Sequence, residues 1–251
     1  MPHAIFEGLA GSERTLVGGW VSIAAEPVFE TMFAQGYDYV GIDTQHTLMD
    51  AAGAGRLLYS IPRGGPPALV RVASNNAPDI GKVLDAGADG VIVPMVNTAE
   101  EARAVVAACR YGPQGVRSFG PIRADLPPDV AGLTARVACF VMIETRTAVD
   151  NIEAICAVPG LTGVYVGPVD LAITLGLPVR SDPMPQPLHD ALAKVGQACA
   201  KAGIIAAGHF PVGQLGLLKG LGFRMFTIGA DRGYIARGAA AELKVAREGL
   251  S

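Results

Sequence analysis

The chain has 251 residues, half of them hydrophobic, and a formal net charge of −3 at pH 7. This mild acidity gives neither the basic surface of a nucleic-acid-binding protein nor that of a membrane-surface protein, and no apolar run reaches the roughly 18 residues of a membrane-spanning helix. The length suits one α/β barrel, which commonly has about 250 residues.

Strand-like and helix-like segments alternate along the chain. In chain order, the first four predicted strand–helix pairs are residues 15–23 with 26–35, 39–43 with 51–60, 68–72 with 78–86, and 90–94 with 99–109. An irregular segment rich in Gly and Pro, residues 111–128, follows and is too long for an ordinary connection. The remaining pairs are 138–143 with 148–156, 163–166 with 188–202 after a Pro-rich loop at 178–187, 203–207 with a helix after Pro211, and 224–228 with 234–249.

These eight units predict a (β/α)8 TIM barrel of the α/β class, with residues 1–251 forming a single domain. The strands are short, continuous apolar runs, as expected of parallel strands buried on both faces. No break in composition marks a second domain. The alternative is an open doubly wound sheet, which would need a nucleotide-binding loop after the first strand, and none is present.

The N-terminal segment and the cysteines favour a cytoplasmic protein. Residues 1–7 have no basic start and no long apolar stretch, so they do not resemble a signal peptide. The cysteines form no CxxC pair and no metal-binding cluster. We therefore expect reduced thiols in the core at Cys109, Cys139, Cys156 and Cys199.

Polar residues follow several predicted strands, at the end of the barrel where active sites form. Placing a carboxylate or an imidazole where a buried strand ends costs stability unless it is hydrogen-bonded, and chains usually accept this cost at active sites. The residues in this position are Asp43, Gln45, His46, Arg71, Glu144, Asp170 and His209.

Glu144 and Asp170 follow neighbouring strands and are candidate metal ligands. Two carboxylates with no cysteine nearby suit a hard divalent cation such as Mg2+ or Mn2+, which keeps open positions for water and substrate oxygens. The alternative for each carboxylate is that it caps the helix that follows, as Asp170 could do before Leu171.

Arg71 and His46 complete a set of groups suited to α-keto acid chemistry. The planar fork of Arg71 suits a carboxylate or a developing oxyanion, and its alternative is an ion pair with a structural Asp inside the barrel. His46 suits a general acid/base, and its alternative is a hydrogen-bonded core histidine. His209 has a similar position, but no neighbouring residue assigns it a role.

Together, a cation, an arginine and a histidine favour formation of a pyruvate enolate, and hence aldol cleavage. A Schiff-base mechanism would need a lysine at a strand end. The lysines considered lie in predicted helices or at their ends: Lys82, Lys194, Lys201, Lys219 and Lys244.

Five motifs stand out along the chain: residues 36–46 (GYDYVGIDTQH), 94–96 (PMV), 111–117 (YGPQGVR), 143–145 (IET) and 166–171 (VGPVDL). Jointly they resemble the HpcH/HpaI aldolase family of metal-dependent (class II) pyruvate aldolases. The resemblance runs from Gly18 to the last helix. It implies reversible aldol cleavage of a 4-hydroxy-2-oxo acid, of the 2-keto-3-deoxy sugar acid type, to pyruvate and an aldehyde.

The resemblance also implies roles for individual residues. Glu144 and Asp170 would hold the divalent metal, Mg2+ or Mn2+ first, with Co2+ or Zn2+ as alternatives. Arg71 would bind the pyruvyl oxygen, and His46 would be the acid/base. Asp85 would reach a histidine of a neighbouring subunit. The residues that would line the substrate-binding site are Gly167, Pro168, Val169, Trp20 and Met142. Asp43 and Gln45 would support the site.

The resemblance implies a homo-oligomer, a hexamer built as a trimer of dimers with the last helix exchanged between partners. Its partners would be a small-molecule oxo acid and an aldehyde, with no nucleic acid and no membrane. The sequence departs from close relatives at Met142, where they have Gln, and at Thr44 and Gln45, where they have Gly-Glu.

Two other functions stay open at this point. One is an acyl-CoA lyase of the citrate lyase beta or malyl-CoA lyase type, for which Arg117, Arg123 and Arg146 could form a basic rim. The other is a non-catalytic oligomeric barrel, which predicts loss of a ligand or of the histidine, and neither is missing from the sequence.

Overall fold

Eight parallel strands close into a barrel in the computed structural model, which describes residues 4–61, 64–179 and 181–250. Each strand pairs with the next along the chain, and β8 pairs with β1. Strands β1 to β8 are Leu16–Val21, Tyr39–Asp43, Ala68–Arg71, Gly90–Val93, Ala138–Ile143, Gly163–Val166, Ile205–His209 and Met225–Thr227. The predicted (β/α)8 architecture is confirmed.

Helices lie between the strands. Helices α1 to α11 are Glu26–Phe33, Ala51–Ser60, Ala77–Asp85, Ala99–Cys109, Val130–Ala135, Arg146–Asp150, Ile152–Cys156, Pro168–Thr174, Gln186–Ala202, Leu215–Gly220 and Asp231–Gly249. Short 3-10 helices occur at Ala4–Phe6 and Val212–Gln214. None of these helices is long and apolar enough to cross a membrane.

Two hydrophobic layers hold the barrel together. The outer layer lies between the strands and the helices, and the inner layer fills the barrel with large side chains such as Tyr39, Phe140 and Tyr165. The hydroxyl of Thr227 forms hydrogen bonds with both tyrosine hydroxyls, at 2.8 Å to Tyr39 and 2.6 Å to Tyr165, so these polar atoms are paired inside the barrel. Because these side chains fill the interior, we expect the active site at the mouth of the barrel and not inside it.

Several predicted boundaries were wrong for local reasons. The helix expected at 148–156 is divided into α6 and α7 at Asn151, whose amide donates to the backbone oxygen of Asn97 at 2.9 Å. The strand expected at 203–207 starts at Ile205, because Gly203 ends α9 in the left-handed conformation (φ 69°). This shift makes His209 the last residue of β7.

Helix α8 was not predicted as an element of its own, and neither was α5. Pro168 stands at the start of α8, where a missing N–H costs nothing. Segment 111–128 contains no helix and no strand beyond an isolated bridge between Tyr111 and Arg117, as expected. The predicted loop at 178–187 includes residue 180, which lies outside the described residues.

The thiols of all four cysteines are free and buried, as predicted. The last helix, α11, differs from the others because nearly all of its surface is exposed. Among its 19 residues only Asp231 is buried. Ile235, Leu243 and Val245 lie exposed along it.

Candidate active site

The C-terminal ends of the strands bring together most of the polar residues singled out in the sequence. Asp43 ends β2, Arg71 ends β3, His209 ends β7, and Glu144 follows β5 directly. Trp20 is the second-last residue of β1. Since parallel strands of one barrel end on the same face, these side chains share the mouth.

Arg71 and Asp43 form a bidentate ion pair at this mouth. Nε of Arg71 donates to Oδ1 of Asp43 at 2.9 Å, and Nη2 donates to Oδ2 at 2.5 Å. Asp43 is 3 % exposed, and burial alone would raise its pKa, but the hydrogen bonds and the charge of Arg71 hold the pKa below its usual value. The sequence alternative of an internal ion pair is therefore realised, and the hydrogen bonds between Arg71 and the described residues use Nε and Nη2 but not Nη1.

Asp43 also organises the loop that carries Gln45 and His46. The Oδ1 atom accepts from the backbone N–H of Gln45 at 3.0 Å and of His46 at 3.4 Å. The hydroxyl of Thr44 donates to the carbonyl of Arg71 at 2.7 Å, which fastens this loop to β3. One carboxylate thus fixes both the arginine and the loop before the histidine.

Trp20 packs against the Arg71 guanidinium. The distance from Arg71 Cζ to the indole centroid is 5.2 Å. On the β2 side, a Cβ atom added to Gly41 would lie 2.3 Å from Cε3 of Trp20, so the ring can occupy this place only because Gly41 has no side chain. The indole also stacks on Tyr165 at 6.1 Å and meets the edge of His209 at 5.6 Å.

Glu144 is a buried carboxylate held by the backbone. It is 2 % exposed, and its Oε2 accepts from the N–H of Met95 at 2.9 Å. Met95 has φ 57°, an uncommon conformation for a residue with a side chain, and such strain is typical of functional sites. Burial raises the pKa of Glu144, the negative charge of Asp170 raises it further, and the Met95 N–H and Arg71 oppose the rise.

Asp170 is partly exposed and lies in the first turn of α8. The capping alternatives for both carboxylates were wrong, because the N-cap of α8 is Gly167 without a side-chain cap and the N-cap of α6 is Thr145. Gly167 also makes room for Glu144, since a Cβ there would lie 2.5 Å from Oε1.

The donor set fits a hard divalent cation. The negative charge of Asp170 acts on Glu144 and raises its pKa. Within the described ranges, no group of three or more His, Cys, Asp and Glu side chains could hold a metal ion. Two carboxylates alone leave several coordination positions to water and substrate oxygens, which is the pattern that Mg2+ prefers.

His46 is exposed, so the alternative of a buried core histidine was wrong. It borders an open cleft of about 700 Å3 that Ser22, Gln45 and Arg232 also line. The Oε1 atom of Gln45 is buried without a hydrogen-bond partner in the part of the chain that is described.

The structure does not bring Asp85 to the mouth of its own barrel. Asp85 ends α3, which leads to the N-terminal end of β4 and therefore to the opposite face. Its Oδ1 accepts from Nη2 of the buried Arg117 at 2.6 Å. Met142 lies on β5 and is 2 % exposed, packed in the inner layer with Trp20 and Tyr165. Val169 is exposed in the first turn of α8, beside Pro168.

Sequence reasoning missed two residues of the site. His209 was left without a role because its partner, Trp20, lies on β1, far away along the chain. Met95 was overlooked because it acts through its backbone N–H. The Pro-Met-Val motif after β4 was a signal for Met95, but nothing in it indicates a left-handed conformation.

Known proteins resemble the chain over nearly its whole length. The family model described as HpcH/HpaI aldolase/citrate lyase matches residues 16–236. A protein of Novosphingobium aromaticivorans named 4-hydroxy-2-oxovalerate aldolase is 38 % identical over 242 residues, which cover 94 % of this chain and 91 % of that protein.

A second sequence and a solved structure are similar to the chain as well. A hydroxypyruvate/pyruvate aldolase of Rhizorhabdus wittichii is 39 % identical over 193 residues, covering 76 % of this chain and 77 % of that protein. The crystal structure of an HpcH/HpaI aldolase/citrate lyase family protein from Burkholderia cenocepacia J2315 superposes with a TM-score of 0.86 at 27 % identity, covering 98 % of this chain and 99 % of that one.

Proposed function

The chain belongs to the HpcH/HpaI aldolase/citrate lyase family and is a carbon–carbon lyase of the aldolase type, and on this premise we propose that it cleaves a 4-hydroxy-2-oxo acid reversibly into pyruvate and an aldehyde. The observation that carries the proposal is the arrangement of Arg71. Asp43 binds two of its nitrogens, and no other described residue is hydrogen-bonded to Nη1, in the mouth that also holds the buried Glu144. An oriented guanidinium beside a carboxylate pair suits an oxo acid.

A divalent cation is expected for this family, and we propose Mg2+ or Mn2+ held by Glu144 and Asp170. When bound, the cation supplies positive charge that polarises the oxo group of the substrate and lowers the energy of the enolate. Glu144 is buried next to the charge of Asp170 and forms no ion pair with a described residue, which supports this assignment.

The other residues orient the substrate. Nη1 of Arg71 donates to the 2-oxo oxygen, and the ion pair to Asp43 keeps the guanidinium in place while charge develops on that oxygen. The backbone around Gly167, Pro168 and Val169 holds the carboxylate of pyruvate. Met142 closes the floor of the site with an apolar surface.

His46 moves the proton in this scheme, since its exposed imidazole borders an open cleft. We propose that Asp85 of a neighbouring subunit orients it, because Asp85 of the same chain lies at the far face. The exposed apolar side chains of α11 support exchange of this helix in a hexamer of single-domain barrels. The free thiols support a cytoplasmic location.

The acyl-CoA lyase alternative is disfavoured, because two of the three arginines considered for a basic rim are engaged in ion pairs. Arg117 is buried and paired with Asp85, and Arg123 pairs with Asp125. Only Arg146 of the three arginines considered is exposed and outside these ion pairs. A buried Glu144 and a left-handed Met95 each lower the stability of the fold, and a non-catalytic barrel would gain nothing in return. Their presence together therefore favours an enzyme.

Proton exchange into pyruvate tests the proposal. The protein with Mn2+ or Mg2+ should exchange the methyl protons of pyruvate with deuterated water, as followed by NMR, because the enolate forms reversibly. EDTA or Glu144→Gln should abolish the exchange. Glu153→Gln, which changes an exposed glutamate on α7, is the matched control and should leave it unchanged. Exchange that persists under full chelation would refute the metal assignment.

The aldehyde is then identified by condensing pyruvate with a panel of aldehydes of different length and charge. Specificity for the aldehyde should depend on the cleft beside His46 and on two loops, residues 118–128 and the described residues of 178–187.

A further inference from the structure

His209 lies in the mouth of the barrel but has no part in the chemistry described so far. It is the last residue of β7, and its ring meets the edge of Trp20 at a centroid distance of 5.6 Å and an interplanar angle of 60°. Trp20 in turn lies against the guanidinium of Arg71. Three side chains from β1, β3 and β7 thus form one row across the mouth.

The position is costly for a histidine. Burial lowers the pKa of His209 to about 4, and the positive charge of Arg71 lowers it too, while a hydrogen bond with the Gly229 backbone opposes the shift. The ring is therefore neutral at physiological pH, where it adds no repulsion toward Arg71. The backbone of Gly229 pairs with the buried ring, and the neutral imidazole can pack its edge against Trp20 as an aromatic side chain.

The surroundings of Trp20 show what His209 contributes. Gly41 leaves space for the indole on the β2 side, and Tyr165 stacks on it at 6.1 Å. Arg71 lies over the ring, and its guanidinium is fastened to Asp43 by two of its nitrogens. His209 contacts the indole from β7 and completes its surroundings on that side.

We propose that His209 is a positioning residue of the oxo-acid site: its ring holds Trp20 against the Arg71 guanidinium and thereby keeps Nη1 directed toward the substrate oxygen. The inference rests on the proposed function, in which Arg71 binds the 2-oxo group. It adds a residue on β7 to a site whose other groups come from β1 to β6.

The test compares His209→Ala with His189→Ala, which changes a partly exposed histidine on α9. Because Trp20 is the single tryptophan of the chain, its emission reports directly on this contact. We expect His209→Ala to shift the emission to longer wavelength and to lower kcat/KM for pyruvate exchange about three- to tenfold, the range expected when the cation–π contact between Trp20 and Arg71 is weakened and not lost. His189→Ala should change neither. His209→Phe, which restores a ring edge, should recover most of both.

A double-mutant cycle shows whether His209 acts through Trp20. If it does, His209→Ala should cost little more kcat/KM in the background of Trp20→Phe, so the two losses are not additive. Additive losses, or a His209→Ala protein with the emission and kcat/KM of His189→Ala, would overturn the inference. Should the alanine variant not fold, an inactive but folded His209→Phe protein would overturn it as well. Wild-type protein that fails to exchange pyruvate protons with Mn2+ would instead refute the proposed function.

Discussion

The substitution Gly167→Ala tests whether activity depends on the position of the Glu144 carboxylate. An added Cβ would lie 2.5 Å from Oε1, 2.9 Å from Cγ and 3.1 Å from Cδ of Glu144. The backbone of Gly167 (φ −94°, ψ 91°) requires no left-handed conformation. The substitution therefore acts on the glutamate and leaves the chain free to follow its native path.

The size of the displacement follows from these distances. An ordinary contact needs about 3.4 Å, so Oε1 must retreat by about 1 Å. The carboxylate cannot move freely, because Oε2 is bound to the Met95 N–H at 2.9 Å. A misplacement of about 1 Å typically costs about 10²-fold in rate. We expect the free energy of unfolding to fall by about 1–3 kcal/mol, as for other overpacked sites.

Two assays check this expectation. Binding of Mn2+, measured from the electron paramagnetic resonance signal of the free ion, should weaken at least tenfold, and pyruvate proton exchange should fall about 10²-fold. Gly216→Ala in α10 is the control, since its added Cβ meets no atom within 4 Å. Equal Mn2+ affinity and exchange rates in the two variants would show that Glu144 does not hold the cation.

The barrel could be predicted from sequence because its signals are local. Each strand is an apolar run between helical segments, and the rule that sites form at the C-terminal ends of strands identified Asp43, Arg71 and Glu144 before any contact was known. The same rule placed His209 near the mouth. These predictions needed only the order of elements along the chain.

The partners of these residues could not be predicted, because they come from distant parts of the chain. The sequence offered an internal ion pair for Arg71 but did not name Asp43, 28 positions away, as the partner. The contact between Trp20 and His209 joins β1 to β7, which β8 separates, and the two residues lie far apart along the chain. Asp170 was expected at a strand end, but it lies in the first turn of α8. The start of this helix was not predicted, although Pro168 directly after Gly167 is a local signal for it.

Two further perturbations test the charges at the mouth. Asp43→Asn removes one partner of a buried ion pair, so the free energy of unfolding in urea should fall by about 3–5 kcal/mol; Glu100→Gln, in an exposed pair, should cost less than about 1 kcal/mol, and equal losses would contradict the burial of the Asp43 pair. The second perturbation is pH. The pKa of His209 is about 4 in the folded chain against 6.5 for an unperturbed histidine. Between these values the unfolded chain binds the extra proton, so stability should fall as pH falls from about 7 to 4, by about 3 kcal/mol from this residue. Urea unfolding of His209→Leu should lack this part of the pH dependence, and His189→Leu should keep it. Parallel pH profiles for the two variants would mean that folding leaves the pKa of His209 near that of an unperturbed histidine, which would contradict its burial beside Arg71.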